Sequence, residues 1–234
     1  MFINYLKALK DIIFPSICLG CEKKISQEYL CQECREKIIF LSPPRCRYCL
    51  KPLSVNSSSI CKECSRKIYP YERLISATAY KEPMLSLIHH FKYKNCDYLA
   101  DFLSSLVVNH LKKMGFNPNK YKLIIPVPLH KDKLKTRGYN QAGLLSKLLS
   151  NYFKIPFKDD IIDDANIRPS QTKLPIQKRK NNVEGIFVVK KELDGKEIIL
   201  VDDIFTTGST ANACSRALKE KGAGNITVIT LSKT

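Results

Sequence analysis

The chain contains 234 residues, with 39 lysines and arginines against 22 acidic residues and a formal net charge of +17. This length suffices for one well-buried domain and a small satellite, and the charge favours a polyanionic partner such as single-stranded nucleic acid. Lysine outnumbers arginine, so part of the charge can be compositional. No apolar run approaches the ~18 residues of a transmembrane helix, which excludes a protein built around membrane spans.

The first 17 residues carry apolar side chains at helical spacing, among them Phe2, Leu6, Leu9 and Ile13. This pattern predicts a helix over residues 1–14 that packs against the following module or lies on a membrane surface. The segment has no secretory cleavage pattern, so we expect a cytoplasmic protein in a reducing compartment.

Eight of the ten cysteines form four CxxC pairs, which can supply two tetrahedral thiolate sites for structural zinc. Metal binding would provide folding free energy that so short and lysine-rich a segment cannot obtain from a core. We assign one zinc to Cys18, Cys21, Cys31 and Cys34, and the other to Cys46, Cys49, Cys61 and Cys64. Spacing also permits a crossed arrangement of the pairs.

Disulfides, iron–sulfur ligation and a thioredoxin-like redox pair are the alternatives for these cysteines. The reducing compartment argues against disulfides, whereas regular knuckles with polar tips favour zinc without forbidding iron. The remaining cysteines, Cys96 and Cys214, are predicted to be buried structural thiols.

The junction after the cysteines predicts a module over residues 1–68 and a larger domain over residues 69–234. In the domain we predict strands at 73–80, 123–127, 186–189, 197–201 and 226–231, and helices at 83–91, 98–111, 139–152 and 209–221. Alternation of this kind predicts an α/β fold, with a mostly parallel sheet flanked by helices.

Residues 122–149 read as strand, loop and helix. Pro126 and Pro128 stiffen the entrance to the loop, which ends at Arg137 and Gly138. Its basic residues form a cationic rim suited to a diphosphate leaving group, and a solvated basic loop is the alternative. These basic residues are Lys131, Lys133, Lys135 and Arg137.

Residues 165–183 are basic and show little apolar periodicity. They predict a long exposed loop, in a position suited to a lid over a ligand, with a disordered linker as the alternative.

Residues 198–210 carry the most specific pattern in the chain. Four apolar residues form a buried strand, Asp202 and Asp203 follow, and a polar turn then opens a helix. The backbone N–H groups and hydroxyls of the turn suit a phosphate at the positive end of the helix. The two carboxylates suit vicinal ribose hydroxyls and a magnesium ion. The turn consists of Thr206, Thr207, Gly208, Ser209 and Thr210.

This pattern resembles the 5-phosphoribosyl-1-diphosphate (PRPP) signature of type I phosphoribosyltransferases. Pro-Val-Pro followed by Arg-Gly-Tyr-Asn-Gln further resembles the ComF family, as do residues 80–93 and the cysteine-rich start. The mobile-loop region of that family is similar to Arg168, Gln171, Thr172, Arg179 and residues 182–187.

The resemblance implies a type I phosphoribosyltransferase-like fold with an N-terminal double zinc ribbon. It implies that Asp202 and Asp203 are catalytic, that residues 206–210 bind the 5-phosphate, and that Pro128, Arg137 and Gly138 form the diphosphate loop. Zinc at two structural sites and magnesium with PRPP are the expected cofactors. His89 and His90 have no acid partner visible in the sequence and are left outside the site.

From the resemblance we expect a PRPP or ribose 5-phosphate ligand and a role with single-stranded DNA during natural transformation. The expected partners are that DNA and an ATP-driven DNA translocase, at the cytosolic face of the inner membrane. One alternative is a metabolic phosphoribosyltransferase that acts on a small nitrogen acceptor, for which no acceptor pocket can be identified. Another is a regulator that binds PRPP without turnover.

Overall fold

The computed structural model describes residues 17–26, 29–56, 58–164 and 187–234. The helix predicted for residues 1–14 and the lid predicted for residues 165–183 lie outside these ranges. The helices are α1 (Gln32–Glu36), α2 (Met84–Tyr93), α3 (Leu99–Lys113), α4 (Lys131–Arg137), α5 (Gln141–Phe153) and α6 (Ser209–Glu220). The strands are β1 (Arg73–Ala79), β2 (Leu123–Pro126), β3 (Ile162–Asp164), β4 (Phe187–Val189), β5 (Ile198–Phe205) and β6 (Ile226–Lys233).

A four-stranded parallel sheet forms the centre of the domain, in the order β1-β6-β5-β2. Both central strands begin with at least four consecutive buried residues, because helices cover both faces of the sheet. The α/β prediction is therefore confirmed. Strands β3 and β4 form a separate antiparallel pair.

Two apolar clusters pack against the sheet. Helices α3 and α5 contribute Leu103, Leu111 and Leu149 to the cluster that contains Ile199 and Ile229. On the other face, α6 packs against Leu200 and Val228 through Ala211, Cys214 and Leu218. As predicted from the sequence, Cys96 and Cys214 are both buried.

Three elements differ from the sequence prediction. Strand β5 does not end before the acids but continues through Asp202 and Asp203 to Phe205, because the neighbouring β6 also runs on and pairs with it to Lys233. Residues 131–137 form α4 rather than a loop. This helix has no buried residue, so it leaves no apolar period in the sequence. The third is β3, too short to give an alternating pattern.

The cysteine-rich segment packs directly onto the domain. The N–H of Leu41 donates to the Ala77 carbonyl at 3.0 Å, and the N–H of Ala79 donates to the Ile39 carbonyl at 2.8 Å. These bonds pair residues 39–41 with the outer edge of β1, which would otherwise present unpaired backbone groups. Leu30 and Cys34 belong to the same apolar cluster as Leu103. Within the described ranges, no helix is both long and apolar enough to cross a membrane.

Candidate functional site

The turn between β5 and α6 is shaped by a glycine that no other residue can replace without strain. Gly208 has a φ of 81°, in the left-handed region, and it precedes the first residue of α6. A Cβ atom at this position would lie 2.6 Å from the ring of Phe205. Because β5 ends at Phe205, this contact fixes the turn at the carboxyl edge of the sheet, where ligands of parallel sheets collect.

Polar groups of the turn face a small cavity. The Thr207 and Ser209 hydroxyl oxygens lie 2.9 Å apart, and the Ser209 N–H points at the Thr207 hydroxyl at 3.4 Å. The cavity, about 250 Å³ with its open mouth, is lined by Asp202, by Thr230 of β6 and by every residue of the turn except Thr207. The first N–H groups of α6 have no partner within the helix, and together with the positive end of the helix dipole they make this a place for an anion. The structure thus brings together Thr206, Gly208, Ser209 and Thr210 around one cavity.

The two adjacent acids have different surroundings. Burial, followed by the charge of Asp203, raises the pKa of Asp202 to about 7. Asp203 instead forms an ion pair with Lys92 at 3.0 Å, and its own N–H donates to the Asp202 carboxylate at 2.8 Å. One carboxyl group therefore titrates near neutral pH, while the other is held beside a fixed positive charge.

Lys92 is a site residue that the sequence analysis missed. It lies in the last turn of α2, and its side chain is only 16% exposed. The sequence separates it from Asp203 by more than a hundred residues, so no local pattern links the two. The one signal in the sequence that could have indicated Lys92 was its position directly after the apolar Phe91, at the end of an otherwise buried helix face.

The next residue of α2 contacts the other side of the site. Arg137 donates to the Tyr93 hydroxyl at 3.2 Å and to the Gln141 side-chain oxygen at 3.1 Å, and its guanidinium lies 4.9 Å from the centre of the Tyr93 ring. Gln141 in turn donates to the Phe91 carbonyl. The end of α2 thus joins the acidic pair to the predicted diphosphate loop.

That loop is ordered by α4. The N–H of Asp132 donates to the ring of His130 at the start of the helix, and Gly138 ends it in the left-handed region with a φ of 77°. Asn140 donates to the Val127 carbonyl at 3.0 Å, which holds the segment after Gly138 against the strand that precedes the partly buried Pro128. Three lysines of α4 are exposed: Lys131, Lys133 and Lys135. The predicted mobile-loop residues Arg168, Gln171, Thr172 and Arg179 lie outside the described residues.

The eight knuckle cysteines form two groups of four. Within each group the sulfur atoms all lie within 4.8 Å of one another, and the pairs Cys21–Cys31 and Cys49–Cys61 are 3.7 Å apart. Four sulfurs placed tetrahedrally at the ~2.3 Å zinc–sulfur distance are about 3.8 Å apart, so both groups fit zinc. The grouping is the sequential one: Cys18, Cys21, Cys31 and Cys34, then Cys46, Cys49, Cys61 and Cys64.

Backbone donors point at the sulfur that begins each group. Burial alone would raise the pKa of Cys18, but N–H donors from Cys31 and Gly20 outweigh it and lower the pKa to about 6. Cys46 has the same arrangement, with a donor from Cys61 and a pKa lowered to about 7. These contacts favour thiolates, the form of cysteine that binds metal.

The two groups repeat one another in detail. An ion pair joins Lys23 to Glu33 in the first and Lys51 to Glu63 in the second, each residue two positions after a cysteine. The same backbone turn closes after the first cysteine of each group. Two copies of one ribbon therefore stand side by side along the chain.

Two family models match the chain. The double zinc ribbon domain matches residues 9–72, and the phosphoribosyl transferase domain matches residues 134–233. The first match, together with the two sulfur clusters, supports structural zinc at both.

Relatives match over nearly the whole length. Competence protein F of Haemophilus influenzae is 31% identical over 92% of this chain and 96% of its own. DNA utilization protein YhgH of Escherichia coli K12 is 27% identical over 94% of this chain and 98% of its own. Among solved structures, an adenine phosphoribosyltransferase is 17% identical over 64% of this chain and 75% of its own, with a TM-score of 0.41.

Proposed function

The chain belongs to the ComF family of competence proteins, and from this premise we propose that it binds PRPP at the carboxyl edge of its sheet and handles single-stranded DNA during uptake. It is a competence-associated, phosphoribosyltransferase-like protein with two zinc ribbons. The observation that carries the ligand assignment is the turn at Gly208, where a small cavity is lined by the turn and by Asp202, the neighbour of Asp203 in the chain.

Each part of PRPP has a counterpart in the site. The 5-phosphate would accept hydrogen bonds from the N–H groups and hydroxyls of residues 206–210. The ribose hydroxyls would donate to Asp202 and Asp203, whose carboxylate oxygens accept. Arg137, held by Tyr93 and Gln141, would offer its guanidinium to the diphosphate.

Magnesium fits the donor set of this site, since carboxylate oxygens are its preferred protein ligands and it would neutralise the diphosphate when bound. The contacts of the two acids limit when they can bind magnesium. Lys92 already occupies one oxygen of Asp203, so the ammonium and a cation compete for that carboxylate. Asp202, with its pKa near 7, must lose a proton before its carboxylate can bind a cation.

The DNA part of the proposal is supported by the charge of +17 and by the name of the Escherichia coli relative. The exposed lysines of α4 lie on the helix that ends at Arg137, so they extend the positive charge of the diphosphate loop outward. We place this activity in the cytoplasm, at the cytosolic face of the inner membrane. There an ATP-driven translocase would be the partner that delivers the strand.

Transfer of the phosphoribosyl group to a small nitrogen acceptor is a second candidate. The observation that favours it is Asp202, because a carboxyl group with a pKa near 7 suits proton abstraction from an acceptor nitrogen at neutral pH. Diphosphate release on addition of an acceptor would distinguish this enzyme from a protein that only binds or senses PRPP.

Calorimetric titration of the zinc-loaded protein with PRPP and magnesium tests the ligand assignment. The double variant Asp202→Asn, Asp203→Asn should lose at least tenfold in affinity. The matched control Asp194→Asn, at an exposed turn, should lose none. Full affinity in the double variant would contradict the assignment.

The DNA assignment is tested by oligonucleotide affinity as a function of salt. Replacing Lys131, Lys133 and Lys135 by glutamine should weaken binding and reduce the salt slope by about one unit for each DNA phosphate that a lysine no longer neutralises. The same charge change at three lysines that already pair with acids, namely Lys190, Lys191 and Lys196, is the control. An equal decrease of affinity in both triple variants would show that α4 does not bind DNA.

A further inference from the structure

A second cavity, of about 540 Å³ with its open mouth, lies where the second zinc ribbon meets the edge of the sheet. It is bounded by the loop before and within that ribbon, by the first half of β1 and by the end of α3. Its walls are partly apolar, with Leu41, Leu50 and Met114 among them. None of its lining residues belongs to the phosphate turn or to the acidic pair. Its polar lining consists of Arg45, Arg47, Arg73, Ser76 and His110.

Three buried polar atoms of this lining lack a hydrogen-bond partner. They are Arg73 Nε, Ser76 Oγ and His110 Nε2. Ser76 and His110 are only 1% and 5% exposed. The described residues contain six such side-chain atoms, and three of them belong to residues that line this one cavity. Because buried polar groups are almost always hydrogen-bonded, three unsatisfied atoms in one place point to a polar partner that the described residues do not supply.

The charge of the cavity is positive. Arg45 and Arg47 donate to the backbone carbonyls of Leu50 and Glu72, both at 2.9 Å, which fixes their guanidiniums at the rim. Arg47 also forms an ion pair with the Glu72 carboxylate, at 3.5 Å between nitrogen and oxygen. Burial and then the charge of Lys113 lower the pKa of His110, so its ring is neutral at pH 7 and can donate or accept through Nε2. Arginine forks are the groups that proteins use for phosphates.

We propose that this cavity binds a nucleoside 5′-monophosphate group, either as a free mononucleotide or as the phosphorylated 5′ end of a DNA strand. The phosphate accepts from Arg73 and from the rim arginines. Ser76 and His110 bond the polar edge of the nucleoside. The base lies against Leu41, Leu50 and Met114, a partly apolar wall that a bare inorganic ion would not need.

Calorimetry of the zinc-loaded full-length chain with thymidine monophosphate tests this site. Ser76→Ala should weaken binding about five- to tenfold through the loss of one hydrogen bond, and Arg73→Gln should weaken it more than tenfold. Ser146 is a matched control, because it is also a buried serine without a partner but does not line this cavity. Ser146→Ala should bind as the parent does. Ser76→Ala removes only an unsatisfied hydroxyl and should fold normally.

Two further arms separate the sources of the ligand and the two sites. A 5′-phosphorylated oligonucleotide that binds more tightly than its unphosphorylated twin, with the difference abolished in Ser76→Ala, would identify the strand end as the ligand. Gly208→Ala disables the phosphate turn, so monophosphate binding that persists there belongs to the second cavity, whether or not PRPP binds the first. Equal affinity in Ser76→Ala and the parent, no binding of either probe, or a crystal structure with thymidine monophosphate that shows only water between the three orphan atoms would overturn the proposal.

Discussion

Replacing Lys92 by methionine should destabilise the protein by about 3 kcal/mol near neutral pH, because it leaves the charge of Asp203 buried and uncompensated. The two side chains are 16% and 12% exposed, and their charged atoms lie 3.0 Å apart. At an effective dielectric constant of about 20, unit charges at this distance attract by roughly 5–6 kcal/mol. Desolvation of both groups offsets part of that attraction, which leaves a loss of the stated size when one partner is removed.

Urea unfolding of Lys92→Met, Asp203→Asn and the double variant measures the pairwise coupling. We expect the double variant to be more stable than the sum of the single losses predicts, by about 2 kcal/mol. The exposed pair Lys190–Asp163 is the control, since its atoms are closer, at 2.6 Å, but its side chains are half exposed. That pair should couple by less than about 1 kcal/mol. A coupling for Lys92–Asp203 no larger than the control would refute the argument that burial makes this ion pair strong.

Gly208→Ala should lose about 1–3 kcal/mol of stability and most PRPP affinity, because φ is positive and the new Cβ meets Phe205. The control Gly195→Ala also has a positive φ, but its Cβ meets open space. It should show only the smaller loss of stability from strain and keep its PRPP affinity. Metal analysis should find two zinc ions per chain in the parent and in Cys96→Ser, and one in Cys31→Ser; two in Cys31→Ser would contradict the ligand set. Because the pKa of Asp202 is raised, the folded protein keeps a proton between about pH 4 and 7 that the unfolded chain releases. The free energy of unfolding should therefore fall as the pH rises through that window. Unfolding measured at several pH values should show this fall in the parent and a flatter curve in Asp202→Asn.

The parts of the site that the sequence could predict are those encoded over a short stretch of chain. The turn around Gly208 and the CxxC pairs each place their chemistry within a few residues, so their spacing alone is informative. The contact between Lys92 and Asp203 could not be predicted, because it depends on how α2 packs against the sheet. Helix α4 was missed for a different reason: it touches solvent on every side and is stabilised by its caps, which leave little trace in an apolar pattern.

Helix α2 also connects the first zinc ribbon to the site, because it packs against the ribbon at its start and contacts Asp203 at its end. A Cβ on Gly20, between the first two cysteines, would lie 2.8 Å from Pro83, which directly precedes α2, and 3.1 Å from the sulfur of Cys34. Phe91 lies in the same apolar cluster as Cys34, and the next residue of the helix holds Asp203. Loss of the first zinc would remove the support at the start of α2, while the ion pair is at its end. If a chelator weakens ligand binding, the cause would therefore be the displacement of α2. Such a result would not be evidence that zinc takes part in the chemistry.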